Sequence, residues 1–247
     1  MRVILTGMNG TVAPPVADYF AKQGFDIITY DRDRISTENS DEIEDFLQKQ
    51  KADLFLHFAM GSYQWTSILA SLCYKLNISF AFISTVSVFS NQHRGPFTVD
   101  DIPDAQDDYG FYKRESERLV KQYNTHAYII RLGWQIGVGK GKNQMIDYLY
   151  KQMEQQGFIS ASSLWYPSVS FLSDTAKAIY QITQKLPVGL YHVNSNESHT
   201  FYEIVTYLKN IYPEFIVKES KEFNADHRMI DHRVDIRKLS EIIGLDT

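Results

Sequence analysis

Tyr109-Gly-Phe-Tyr-Lys113 sets a phenol and an ammonium four residues apart, and on a helix such a pair shares one face. A nearby ammonium lowers a phenol's pKa from about 10, so that the tyrosine can exchange a proton with a substrate oxygen. With 16 Tyr and 15 Lys in 247 residues, roughly one such spacing arises by chance, so the weight must come from where the pair falls. It follows an apolar run that ends in Ser84-Thr85-Val-Ser87, where Thr85 offers a second hydroxyl to the same chemistry. At the other end of the chain, Arg2–Leu5 ends abruptly in Gly7-Met-Asn-Gly10-Thr-Val-Ala13. Two glycines and an alanine at this spacing allow a tight turn and close backbone approach to an anion at the start of a helix.

The elements that must position these groups alternate. Residues 2–5, 25–30, 53–58 and 79–83 read as strands, and residues 16–22, 41–50, 66–76 and 109–123 as helices, with Asp107 or Asp108 as a cap for the last. Strands joined by helices make a parallel, doubly wound α/β sheet with right-handed crossovers. Ligands bind beyond the carboxyl ends of strands in such a sheet. That edge collects Gly7, Asn9, Gly10, Thr11 and Val12 of the first turn, Asp31 and Arg32 after the second strand, Phe58, Ala59 and Met60 after the third, and Thr85 and Ser87 after the fourth. An acid at position 31 suits a free ribose hydroxyl and NAD, whereas Arg32 and Arg34 suit a 2′-phosphate and NADP; both cofactors stay open. Lys113 is placed to hydrogen-bond the ribose of either. Pro14-Pro15 falls in the first turn of the cofactor helix, where proline is tolerated but brings no N–H to a pyrophosphate.

Composition bounds the remainder. The formal charge of −5 gives no electrostatic reason for a nucleic acid or an anionic membrane as partner. No apolar run is long enough to span a bilayer. The lone cysteine, Cys73, excludes an internal disulfide and reads as a core thiol in a reducing, cytoplasmic setting. A first strand at residue 2 leaves no leader in front of the fold. The seven histidines are dispersed, without metal-ligand spacing, and His57 reads as a packed strand-end residue, so no metal is expected. Gly137-Val-Gly-Lys-Gly-Lys142 lacks the spacing of a P-loop; Lys140 and Lys142 either lie on a solvated loop or meet a diphosphate in the substrate.

These motifs together resemble the extended short-chain dehydrogenases/reductases, and among them the reductases of nucleotide-linked sugars. Thr6-Gly-Met-Asn-Gly-Thr-Val-Ala13 resembles the family's phosphate loop, His57-Phe-Ala59 the strand end beside the dinucleotide, and Ser84-Thr-Val-Ser-Val-Phe89 the segment bearing the catalytic hydroxyl. Tyr109 and Lys113 match its YxxxK pair, and Arg131-Leu-Gly-Trp134 a segment whose Trp lies by the sugar. Tyr166–Phe171 with Asp174, and Arg228 through Leu239, resemble two later segments. The resemblance implies a Rossmann-type fold, a catalytic set of Thr85, Tyr109 and Lys113, and substrate contacts at Ser87, Trp134 and Arg228. It also implies a homodimer built on the helices near residues 64–76 and 109–123.

The expected organisation is a dinucleotide-binding domain over residues 1–140, with contributions from later segments, and a small substrate-binding lobe over residues 141–247 that is interleaved with the sheet. Helices at 147–155, 174–185 and 200–211 and a strand at 189–193 are expected to build that lobe. The expected activity is NAD(P)-dependent reduction of a keto group on a nucleotide-linked sugar. An epimerase or dehydratase of the same superfamily begins with the same hydride step, although Val86-Ser87 stands where a dehydratase wants acids. A non-catalytic dinucleotide-binding regulator is the third reading.

Overall fold

The computed structural model describes residues 1–137 and 144–243. In chain order the elements are β1 (Arg2–Leu5), α1 (Ala13–Lys22), β2 (Asp26–Thr29), α2 (Ser40–Gln50), β3 (Leu54–His57), α3 (Tyr63–Lys75), β4 (Ser79–Thr85), α4 (Asp108–Tyr123) and β5 (Ala127–Leu132). Then follow β6 (Trp134–Ile136), α5 (Met145–Gln156), β7 (Ile159–Ser162), β8 (Trp165–Tyr166), β9 (Val169–Phe171), α6 (Leu172–Lys185) and β10 (Gly189–Val193). The chain closes with α7 (Phe201–Ile211), β11 (Val217–Ser220), β12 (Ala225–Asp226) and α8 (Leu239–Ile243).

Six strands form the central sheet in the order β10-β5-β4-β3-β1-β2, and every pairing is parallel. The order reverses at β1, so the crevice for a ligand opens beyond the carboxyl ends of β1 and β3. β3 and β5 are buried along their whole length, as a sheet covered on both faces requires. One face packs Val16 and Phe20 of α1 and Ile179 and Ile182 of α6 against Val3, Leu5 and Ile130. The other packs Ile43 and Leu47 of α2 and Leu69 and Cys73 of α3 against Ile4, Phe55 and Phe80. This is the doubly wound Rossmann-type architecture.

Two features of the sequence reading are corrected. β5 is a full sheet strand that apolar patterning does not single out, because the buried Arg131 interrupts its aliphatic run. α6 and β10, expected in the lobe, belong to the sheet: β10 pairs with β5 and α6 covers the same face as α1. The lobe is therefore discontinuous, made, among the described residues, of 134–137, 144–171 and segments after β10. Its short parallel pairs, β6 with β9, β7 with β11 and β8 with β12, surround a core of Ile136, Leu149, Ile159, Phe201, Val205 and Phe215. The chain thus leaves the sheet at Gly133, builds part of the lobe, returns, and leaves again. Lobe and sheet edge face each other for that reason. Among the described residues no helix is long and apolar enough to cross a membrane.

Candidate active site

The phosphate turn takes the shape that its glycines allow. Gly7 has φ +79°, in the left-handed region that costs other residues strain. A Cβ there would sit 3.0 Å from Ala59 N. Gly10 N donates to Gly7 O at 2.8 Å, closing the turn. α1 then begins without a side-chain cap and without an acid in its first turn, so its partial positive charge is offered outward. Its first intrahelical bond runs from Val16 N to Val12 O at 3.3 Å. Pro14 and Pro15 fall inside that first turn, which leaves Thr11, Val12 and Ala13 as the residues whose N–H groups can meet an anion.

Beneath the turn, the Thr6 hydroxyl accepts from Phe58 N at 2.9 Å and Ala59 N at 3.0 Å. Its own hydrogen is then left for His57 Nδ1, 2.9 Å away, and His57 Nε2 donates to Thr66 Oγ1 at 3.1 Å. Burial pushes the His57 pKa down to about 3, so the ring is neutral and joins β1, β3 and α3. It does not face the cavity.

Further along the edge, α4 brings Tyr109 and Lys113 to the end of β4. Asp107 caps this helix through Gly110 N at 2.9 Å, and a Cβ on Gly110 would lie 2.3 Å from Ser87 O. Helix and loop therefore approach as closely as backbone can. Thr85 is buried, accepts from Ser87 N at 3.2 Å, and reaches Ser87 Oγ at 3.3 Å. Tyr109 stays 43% exposed. Desolvation raises its pKa, and a hydrogen bond with Thr85 works in the opposite direction.

The Lys113 ammonium, expected to acidify Tyr109, is held at the end of β4. Lys113 is buried and donates to Ile83 O at 2.7 Å, with its ammonium 4.8 Å from the centre of the Phe82 ring. Burial pushes its own pKa down to about 8, with Glu117 opposing. The ammonium is thus held by a backbone carbonyl, and the net effect on the phenol is a raised pKa. Tyr109 stays protonated and suited to act as an acid.

A cavity of about 760 Å³ connects these groups, within the range of small-molecule and cofactor sites. Gly7, Gly10, Thr11, Val12, Phe58 and Met60 line one end, and Thr85, Ser87, Tyr109 and Lys113 line the middle. Of the remaining expected cofactor residues, Asn9 is exposed and Ala59 is buried with its N–H on Thr6; neither lines the cavity. Asp31 and Arg32 lie outside the lining. Asp31 pairs with Arg34 at 3.3 Å, while Arg32 donates to Met60 O at 2.8 Å and lies 5.9 Å from the Trp65 ring centre. The uncapped helix start and the glycine cradle fit a dinucleotide diphosphate, while Asp31, Arg32 and Arg34 lie outside the cavity lining.

The far end is aromatic. Trp134 meets Tyr148 edge-on at 5.2 Å and lies nearly parallel to Trp165 at 6.1 Å. Trp165 Nε1 donates to His227 Nδ1 at 3.1 Å, and His227 Nε2 reaches Asn91 Oδ1 at 2.7 Å. Ser168 and Gln135 add uncharged polar groups to this wall. Arg228 is not part of it. Its guanidinium is held by Asp226 at 2.6 and 2.9 Å and lies 4.9 Å from the Tyr166 ring centre, so the next residue back, His227, takes the expected place. Tyr148, Trp165 with Ser168, and His227 come from three separate segments, and no spacing in the chain links those segments. Lys140 and Lys142 lie outside the described residues. Among the described residues no cluster of His, Cys, Asp and Glu could hold a metal.

Fold and site together define a protein of the extended short-chain dehydrogenase/reductase class. A family model described as the RmlD substrate binding domain matches residues 62–220, more than half of the chain, and the protein belongs to that family. It is 20% identical over 225 residues to a dTDP-4-dehydrorhamnose reductase of Aggregatibacter actinomycetemcomitans, which covers 82% of this chain and 76% of that protein. Its fold is similar to that of the dTDP-4-dehydrorhamnose reductase of Bacillus anthracis in complex with NADP, with TM-score 0.82, 18% identity, and 98% and 96% of the two chains covered. A UDP-N-acetylglucosamine 4-epimerase of Bacillus cereus has TM-score 0.78 at 21% identity, covering 100% of this chain and 94% of that one.

Proposed function

We propose that the protein is an NAD(P)-dependent oxidoreductase that reduces a keto group of a nucleotide-linked sugar, in the manner of a dTDP-4-dehydrorhamnose reductase. The observation that carries this reading is the cavity itself. One space joins a phosphate cradle, a hydroxyl pair at Thr85 and Tyr109, and a wall of two tryptophans that suits a pyranose ring.

The bound cofactor supplies the hydride. Thr85 hydrogen-bonds the carbonyl oxygen, and the protonated Tyr109 gives that oxygen its proton. Lys113 holds the strand end through Ile83 O and would hold the ribose, while Ser87 and Trp134 orient the sugar. Phe58 and Met60 line the cavity and would flank the cofactor. Among the described residues that line the cavity there is no Asp or Glu to serve a dehydration, and that supports reduction over a dehydratase reaction.

The test is consumption of NADH and NADPH with a panel of keto-sugar nucleotides. Turnover with at least one is expected, and Tyr109→Phe is expected to lower kcat by about 10²–10⁴ with cofactor affinity within about twofold. Absence of turnover despite tight cofactor binding would reject the reductase reading in favour of a regulator. Equal activity in the variant would remove Tyr109 as the acid.

A homodimer on α3 and α4 belongs to the same proposal. These helices pack together and expose Tyr63, Tyr74, Phe111 and Tyr123; light scattering should give twice the chain mass. A cytoplasmic, reducing setting fits Cys73, a buried free thiol whose pKa burial pushes up.

A further inference from the structure

Glu117 lies one helical turn beyond Lys113 on α4 and is buried, with 3% of its side chain exposed. One carboxylate oxygen accepts from Ser84 Oγ at 2.6 Å and Arg131 Nε at 2.9 Å, and the other from Arg131 Nη2 at 2.7 Å. Arg131 is fully buried, stands beside Ser84 in the β4–β5 register, and meets His192 Nε2 at 3.2 Å on the next strand. Burial pushes His192 down to about 4, so the row Ser84–Arg131–His192 across three strands carries one positive charge, matched by Glu117.

An ion pair this deep costs several kcal/mol of desolvation, and well-packed apolar residues often do as well or better for stability. Its geometry indicates a different use. Three consecutive residues at the end of β4 are tied to three positions of α4 spaced by one turn: Ile83 O to Lys113, Ser84 Oγ to Glu117, and Thr85 to Tyr109. The middle tie is the strongest, because a charged acceptor shortens and strengthens its bonds.

We propose that Glu117, held by Arg131, is a positioning residue for the Thr85, Tyr109 and Lys113 set, pinning the strand end that carries Thr85 to the helix that carries Tyr109 and Lys113. The inference rests on the reductase reading for its consequence in turnover, but not for its consequence at Lys113. The titratable and charged groups around that ammonium are Glu117, Tyr109 and Tyr112 of its own helix, neutral His57 of β3, and Arg131 of β5 behind Glu117. Glu117 is therefore the one negative charge among them.

Two variants separate position from charge. Glu117→Asp keeps the charge but is one methylene too short to hold both Ser84 and Arg131. Glu117→Gln with Arg131→Gln removes both charges without orphaning either. Thermal melts establish that each is folded. Lys113 is read directly by NMR titration of ¹³C-labelled lysine, assigned by its absence in Lys113→Met, and turnover is read at pH 7 with the best keto-sugar nucleotide. Glu117→Asp should leave the Lys113 titration in place and lower kcat about tenfold or more, as expected for a displaced reacting group, with cofactor Kd within about twofold. The double variant should lower the Lys113 titration by about one pH unit and lower kcat as well. Wild-type kcat in folded Glu117→Asp, or an unmoved Lys113 in the folded double variant, overturns the proposal. Should the wild-type protein reduce no keto sugar, the functional reading fails, and the Lys113 titration alone decides the role of Glu117.

Discussion

Lys113→Met should make the protein inactive and more stable at neutral pH. Burial moves the ammonium from the ordinary 10.5 to about 8, which corresponds to about 3 kcal/mol against folding wherever the group is charged in both states. Methionine nearly matches the lysine stem and fills the same space beside Phe82. Against this gain stands the bond from Lys113 to Ile83 O, a loss of about 1 kcal/mol. Glu117 keeps Arg131 as its partner, so the substitution leaves no unmatched charge. The balance is about 2 kcal/mol in favour of the variant at pH 7, or about 4–8 °C in Tm for a chain of this size. Between pH 8 and 10.5 the unfolded wild type binds the proton that the folded state has released, so wild-type stability rises with pH across that window. The variant's advantage should therefore shrink steadily from pH 8 and vanish by about 10.5. Urea unfolding of both proteins at pH 7, 8.5 and 10 measures this. A variant less stable than wild type at pH 7, or an advantage that does not change with pH, refutes the reasoning.

Other substitutions report on neighbouring features. Gly110→Ala places a Cβ 2.3 Å from Ser87 O and 2.5 Å from Ala105 Cβ, so α4 must back away from the loop after β4. A stability loss of about 1–3 kcal/mol and a fall in kcat of about 10² are expected, and wild-type kinetics would show that the close approach is not needed. Arg228→Ala should leave substrate KM within about twofold and cost about 1 kcal/mol through the lost Asp226 pair. A tenfold rise in KM would return Arg228 to the substrate site. The first prediction and the second share one helix, so Lys113→Met and Gly110→Ala should be compared separately and not summed.

How much was legible follows the range over which each signal acts. The sheet and the three proposed reacting groups are local signals: β4 with its hydroxyls, and a Tyr–Lys pair one turn apart, can be read from contiguous residues. The start of α1 at Ala13 is earlier than periodicity suggests, because Pro14 and Pro15 fit a first turn and hide its onset. β5 escaped because Arg131, a charge in a doubly covered strand, makes sense only once Glu117 is seen beside it, fourteen residues back. The lobe's strands are two to four residues long, too short for alternation to show. Arg228 looked free to bind substrate because no pattern in the chain shows that its guanidinium folds back onto Asp226 and Tyr166. The direction of Lys113 was illegible for the same reason: spacing fixes the helix face, while the carbonyl it reaches is supplied by another strand.

Four departures from local rules lie along one edge of the sheet. α2, α3, α4 and α7 are each capped by a side chain, from Asn39, Ser62, Asp107 and Thr200. α1 has neither a side-chain cap nor an acid in its first turn, and it is the only described helix lacking both. Lys113 sits charged in a buried place, Gly7 takes a left-handed turn, and Glu117 and Arg131 spend a deep ion pair where apolar packing would serve stability as well. Every one of these departures lies beneath or beside the cavity, and a bound ligand would address two of them. An anion at the start of α1 supplies the missing cap, and hydroxyl-bearing groups brought against Tyr109 and Lys113 complete their hydrogen bonding. Ligand binding should therefore return stability that the empty fold forgoes, by the mass-action relation between binding and unfolding. That gain should be largest for ligands that carry a diphosphate.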